Sequence, residues 1–280
     1  GGLRIGGSLI KVIDGLPCRL QTDCNLDFLS AYGRVFRVLD DQDSGNLCFG
    51  LERGERRYFL KFAGAQTLRY QGTPEQAVKR LKQASAIYME LSHPCLIPYH
   101  CSEKVGDGFV MIFDWVDAIC MGKQYSGQRE QFMALPQESL LDVFEAVLEF
   151  HRYVAKRGYV AIDFYDGSIL YDRSAHKPYI CDIDFYQKSP TVNTMGRLWG
   201  SSRFMSPEEH TLGAVVDEVT TVYTMGATAF ALFCGETEHT LEKWRLSEER
   251  YRVAMRAVAS KRSERYPTLA ALTAAWKLAK

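Results

Sequence analysis

The chain has no excess charge of either sign. Its 34 basic and 34 acidic residues cancel, so its composition does not suit it to nucleic acid or to an anionic membrane surface. It also lacks a long apolar run. The longest, about Val222 to Cys234, falls short of the ~20 helical residues that cross a bilayer. No secretory leader is recognisable near its start. Paired-cysteine motifs are missing too. The eight cysteines are scattered, with no CxxC pair and no His/Cys cluster at zinc spacing. That pattern reads as buried or idle thiols in a reducing compartment rather than a disulfide framework. Internal repeats and low-complexity tracts are absent. These absences lead to the expectation of a cytoplasmic protein with no nucleic-acid partner and no membrane span.

What is present is a hydrophobic content of 46% over 280 residues, ample for one large domain or for two lobes. Three strands are expected over Tyr32 to Leu39, Leu47 to Glu52 and Arg57 to Phe62. The last two are joined at Arg53-Gly54-Glu55, a tight hairpin signal. A helix follows. Thr73 suits its N-cap and Pro74 its first position, and Ala77, Val78, Leu81, Ala84 and Tyr88 recur at helical spacing. It stops near Ser92-His93-Pro94. Phe109 to Trp115 reads as an apolar strand ending at a hinge. Helices dominate beyond Leu140: Leu140 to Lys156, Val216 to Phe233, Ser247 to Ser260 and Thr268 to Lys280. A β-rich front and a helical rear predict an α+β protein with two lobes.

Two short segments carry the chemistry. In Ala161-Ile162-Asp163-Phe164-Tyr165-Asp166-Gly167-Ser168 and in Asp182-Ile183-Asp184-Phe185-Tyr186, aspartates follow apolar β-type runs, Gly158-Tyr159-Val160 and Tyr179-Ile180-Cys181. Two carboxylates delivered by short strands can serve as a proton acceptor and a magnesium ligand, the pair that phosphoryl transfer needs. By strand alternation Asp182 turns to the other face and is the weaker candidate.

With these segments the chain resembles the protein kinase superfamily over about residues 28 to 275. AIDFYDGS stands where that family has HRDLKPEN, and Asp184-Phe185-Tyr186 where it has DFG. Tyr58-Phe59-Leu60-Lys61 stands at the VAIK position. Gly200 to Glu208 (GSSRFMSPE) is similar to GTPxYMAPE, Val222 to Gly226 to the VWSLG helix, and Glu264 to Thr268 to the closing arginine motif. The style is that of small bacterial serine/threonine kinase-like proteins. The resemblance implies a bilobal protein kinase-like fold. Residues 1–113 would form the N-lobe, with 1–25 as an extra segment, and 114–280 the C-lobe.

The resemblance also implies roles. Asp163 is the base, and Lys61 contacts the α and β phosphates of ATP. Asp184 holds Mg2+, with Ser168 at the second metal position. Gly45, Phe59, Asp114 and Trp115 line the nucleotide site, with Phe113 as gatekeeper. Glu208 and Arg265 form an ion pair. The family's helix glutamate falls on Ala84, and Glu75 and Glu90 are the nearby alternatives. The departures are several. Ser168 replaces an asparagine, Tyr165 a lysine, and Ala161-Ile162 a histidine-arginine pair. Phe59 replaces a small residue above the adenine. Of three loop glycines only Gly45 is present, among Asp40, Asp41 and Asp43, which repel a phosphate unless they point away or hold a cation. Asp166 either compensates at the metal or caps its turn. The expected function is an ATP-dependent serine/threonine protein kinase acting on a protein substrate. The alternatives are a pseudokinase serving as a binding or scaffolding module, and a small-molecule kinase.

Overall fold

A computed structural model describes residues 2–235 and 238–280. The chain is mixed α+β, with a β-rich sheet region and, among the described residues, six α-helices. It divides into two compact units, Gly1–Ser92 with Ile97–Val116, and His93–Leu96 with Asp117–Lys280.

Unit 1 begins with a three-stranded antiparallel meander of β1 (Leu3–Ile5), β2 (Ser8–Ile13) and β3 (Leu16–Leu20). Asp14-Gly15 joins the last two strands, with φ of 49° and 84°. Asp-Gly suits such a turn because both central residues need positive φ. A second antiparallel sheet has the order β4-β5-β6-β8-β7. Its strands are β4 (Arg34–Leu39), β5 (Asn46–Arg53), β6 (Arg56–Ala63), β7 (Tyr99–Val105) and β8 (Gly108–Asp114). The β5–β6 connection is the expected hairpin at Gly54-Glu55.

Alternation along these strands divides the second sheet into two faces. Leu47, Phe49, Leu51, Leu60, Phe62, Val110 and Ile112 share one face. They are buried in a single cluster with Leu9, Cys18 and Leu20 of the meander and with Leu26, Leu29 and Val35. Residues 1–25, without a counterpart in the resemblance, therefore supply part of the core of this unit. The other face carries Phe59, Lys61, Met111 and Phe113. Helix α1 (Pro74–Glu90) packs on it, burying Ala77, Leu81, Ala84 and Tyr88. Its start is fixed as expected. Thr73 accepts from the Gln76 N–H, the Gln76 side chain accepts from the Thr73 N–H, and Pro74 occupies the first turn.

Unit 2 is mostly helical. It contains α2 (Ser126–Met133), α3 (Gln137–Lys156), α4 (Glu218–Phe233), α5 (Glu248–Ala257) and α6 (Leu269–Leu278). Thirteen residues of α4 are buried, and α3, α5 and α6 pack around it. Phe144 of α3 contacts Trp276 of α6 and Phe233 of α4, with ring centroids 4.5 and 6.1 Å apart. Gly226 is required where α4 meets α5. A Cβ there would lie 2.7 Å from the Ala257 methyl.

Short strands carry the loops of this unit. One sheet joins β9 (Ile119–Cys120), β11 (Ile169–Asp172) and β12 (Lys177–Ile180). β10 (Tyr159–Val160) pairs with β13 (Gln187–Lys188), and β14 (Thr191–Val192) with β15 (Val215–Val216). Residues 93–96 belong to this unit through the Ile180 N–H, which donates to the Cys95 carbonyl at 2.7 Å. Among the described residues no helix is long and apolar enough to cross a membrane.

Candidate functional site

In unit 1 the expected residues gather on the helix-covered face of the second sheet. Lys61 lies opposite Cys48 and Met111, and Phe59 opposite Gly50 and Phe113. Lys61 is only 5% exposed. Its ammonium lies 3.5 Å from the Tyr88 hydroxyl, and 5.8 and 5.6 Å from the ring centres of Tyr88 and Phe113. Ala84 is buried one helical turn before Tyr88, and Glu75 and Glu90 are both exposed. The helix therefore brings a phenol to Lys61 one turn beyond the position where the resemblance expects a carboxylate. Such a setting orients the cation through aromatic faces.

Phe59 is half-buried, its ring 6.2 Å from those of Phe113 and Trp115. Phe36, at a bulge in β4, meets Trp115 edge-on at 4.8 Å. Gly50 has no side chain where a Cβ would run into both Phe36 and Trp115. The Trp115 N–H donates to the Arg57 carbonyl, and the Asp114 N–H to the Pro98 carbonyl. The Asp114 carboxylate hydrogen-bonds the His100 ring.

Gly45 has a φ of 85°, and a Cβ on it would meet the Tyr70 ring at 2.7 Å and Ala77 at 3.0 Å. Only glycine allows both the conformation and the close approach. Two of the three loop aspartates have cationic partners. Asp40, 8% exposed, accepts from the Arg19 backbone N–H at 2.7 Å and from its guanidinium at 2.9 and 3.2 Å. Asp41 pairs with Arg69 at 2.7 Å. The repulsion expected of this loop is reduced accordingly, and Arg19 ties the loop to β3.

In unit 2, Asp163 and Asp182 have φ of 65° and 57°, a left-handed conformation that is uncommon for residues with a Cβ. They follow β10 and β12 by three and two residues. The charges of both act on Tyr165. Burial pushes the phenol of Tyr165 up, and the charges of Asp182 and Asp163 push it further. Asp182 was expected to alternate away within a strand. Strand β12 instead stops at Ile180, so alternation does not govern Asp182. Asp184 lies two residues on and is half-buried, as Asp163 is. Ser168 is fully buried, and its hydroxyl accepts from the Tyr165 N–H at 3.4 Å.

Asp166 neither reaches solvent nor serves only as a turn cap. It is 0% exposed and pairs with Arg129 at 2.8 Å and Arg203 at 2.7 Å. Tyr186 is buried, and its hydroxyl lies 2.8 Å from Nε2 of His151. Burial holds that imidazole down at about 4. Tyr186 is therefore held in the interior of this unit. The predicted Glu208–Arg265 pair is formed by two bonds of 2.7 and 2.9 Å, and Arg262 adds a third at 2.7 Å. No cysteine forms a disulfide, and burial pushes the thiols of Cys18, Cys95 and Cys120 up to about 12.

Sequence reasoning set Asp182 aside on a strand alternation that β12 does not extend to it, and it missed Arg129 and Arg203. A signal existed for Asp182: a carboxylate just after a short apolar strand, the same context as Asp163. Arg129 and Arg203 carry no such signal, since each lies 37 residues from Asp166. Among known proteins, no family model matches this sequence and no curated protein matches it.

Proposed function

We propose that the chain is an ATP-dependent, protein kinase-like phosphotransferase of bilobal fold that transfers phosphate to serine or threonine on a protein. The observation that carries the reading is the pair Asp163 and Asp182, each in the left-handed conformation just after a short strand, β10 and β12. Asp163 accepts the hydroxyl proton of the acceptor. Lys61, oriented by Tyr88 and Phe113, meets the nucleotide phosphates. The Glu208–Arg265 pair, expected from the same resemblance, adds support.

The donor set suits magnesium. Among the described residues no group of three or more metal-ligating side chains forms a cage. Magnesium needs none, since it keeps water ligands and takes one or two carboxylates together with substrate phosphates. Asp184 is the ligand implied by the sequence resemblance; the end of β12 at Ile180 and the left-handed conformation that Asp182 shares with Asp163 favour Asp182 for the same role. The hydroxyl of Ser168 is already engaged with Tyr165 and is the weaker donor. When bound, the metal would offset the charge of the phosphates.

The crowding of Phe59, Phe113 and Trp115 favours a second reading, a pseudokinase that binds without catalysis. A thermal shift with ATP, with and without magnesium, tests the first reading. Ligand at a hundred times its dissociation constant adds ~2.7 kcal/mol of stability. The expected result is a magnesium-dependent rise in the wild type that is lost in Asp182→Ala and reduced in Lys61→Met. A rise unaffected by magnesium and by both substitutions would overturn the assignment. A loss in Asp184→Ala alone would return the ligand role to Asp184.

A further inference from the structure

Three segments of unit 2 converge on one buried carboxylate. Oδ2 of Asp166 accepts from Nη1 of Arg129 on α2 at 2.8 Å and from Nη1 of Arg203 at 2.7 Å. Oδ1 accepts from Nη2 of Arg203 at 3.1 Å and from the Gly167 N–H at 3.0 Å. Arg129 also donates to the Met121 carbonyl at 2.6 Å. Four donors thus engage the two oxygens of a side chain with 1% exposure. Charge-assisted bonds to a carboxylate are strong, and the two-pronged bond from Arg203 also fixes orientation.

The two ends of this clamp matter. Asp166 lies three residues after Asp163. Arg203 lies in the short turn Ser202–Phe204, just before Met205. Met205 is buried in a small cluster with Val160, Ile162, Leu198 and Val216, and Ile162 directly precedes Asp163. The 201–205 segment is therefore joined to the Asp163 loop twice, once by charge and once by apolar contact. An arginine beside Asp163 would let a phosphate on the neighbouring segment make such a link. Here Ile162 stands in that place and cannot pair with a phosphate. The polarity is exchanged: the acid belongs to the loop, and the arginine belongs to the segment.

We propose that Asp166 is a positioning residue that, with Arg203 and Arg129, holds the 201–205 segment in a ready-made seat for the acceptor peptide, without phosphorylation of the segment between Asp184 and Glu208. The proposal rests on the kinase-type reading above.

The test compares Arg203→Gln, Arg203→Lys and Asp166→Asn with the wild type in the full chain, each shown to be folded by circular dichroism. Amide exchange over residues 199–206 and steady-state kinetics are both measured. In Arg203→Gln the 199–206 amides exchange faster. The KM for an acceptor peptide rises on the order of 10–100-fold, while the KM for magnesium-ATP changes by less than about twofold. Arg203→Lys, which keeps the charge but not the fork, recovers part of both effects. Phosphatase treatment of the wild type alters neither. Unchanged exchange in both Arg203→Gln and Asp166→Asn overturns the clamp, as does faster exchange after phosphatase treatment. A wild type that transfers no phosphate, with faster exchange in Arg203→Gln, overturns the seating role together with the kinase reading while leaving the clamp itself standing.

Discussion

Glu208 and Glu209 are adjacent and buried, yet their carboxyl groups are driven in opposite directions. Burial pushes Glu208 up, but bonds from Arg265 and Arg262 outweigh it and bring it down to about 2. Burial dominates at Glu209 and raises it to about 7, partly offset by bonds from the N–H and hydroxyl of Ser206, while the charge of Glu208 raises it further. The consequences for stability follow from linkage. Glu208 stabilises the fold fully above its ordinary value of 4.5, and that contribution is lost as pH falls toward about 2. Glu209 contributes its stability below 4.5 and loses it as pH rises through about 7.

At ~1.4 kcal/mol per pH unit, the rise at Glu209 corresponds to ~3 kcal/mol lost between pH 4.5 and 8. Glu209→Gln removes this titration and keeps the oxygen that faces Ser206. Its new amide N–H must find a partner, at a cost of about 1–3 kcal/mol if it does not. The net expectation is a gain of ~0–2 kcal/mol at pH 8 and none at pH 5. Urea unfolding of both proteins at half-unit steps from pH 5 to 8 measures it. Because every other titrating group is shared, the difference between the two curves isolates Glu209. A difference that does not grow with pH, or that grows in the opposite sense, would refute the reasoning.

Three further outcomes are expected. Phe59→Ala, which opens the sheet face beside Phe113 and Trp115, binds magnesium-ATP more tightly than the wild type in calorimetric titration; weaker binding would make the ring a stacking lid instead. Gly226→Ala lowers the unfolding midpoint, because overpacking against Ala257 costs about 1–3 kcal/mol and exceeds the ~0.5–1 kcal/mol gained by replacing a helical glycine; a raised midpoint would show that α4 and α5 separate without strain. Alanine at Ser189, Thr191, Thr194 or Ser202 leaves the transfer rate unchanged, and a large loss at one of these positions shown to carry phosphate would contradict that.

Local signals made part of the fold legible. Thr73, Pro74 and the apolar spacing after them fixed α1 because capping and periodicity are properties of neighbouring residues. The turn at Gly54-Glu55 was legible for the same reason. The meander over residues 3–20 was readable in principle. Asp14-Gly15 is a two-residue hairpin signal, but the stretch has no counterpart in the resemblance that guided the reading. Strand ends were harder. That β12 stops at Ile180 depends on its pairing with β11, and this decides whether strand alternation reaches Asp182. The Asp166 clamp was not legible at all, since only folding brings Arg129 and Arg203 to the same carboxylate.

The central claim is phosphoryl transfer, and the most direct measurement follows label from γ-labelled magnesium-ATP onto acceptor protein. The account predicts labelled serine or threonine with the wild type and none with Asp163→Asn, although that variant still binds the nucleotide. Equal labelling by the two proteins, or nucleotide binding by a wild type that labels nothing, would contradict it.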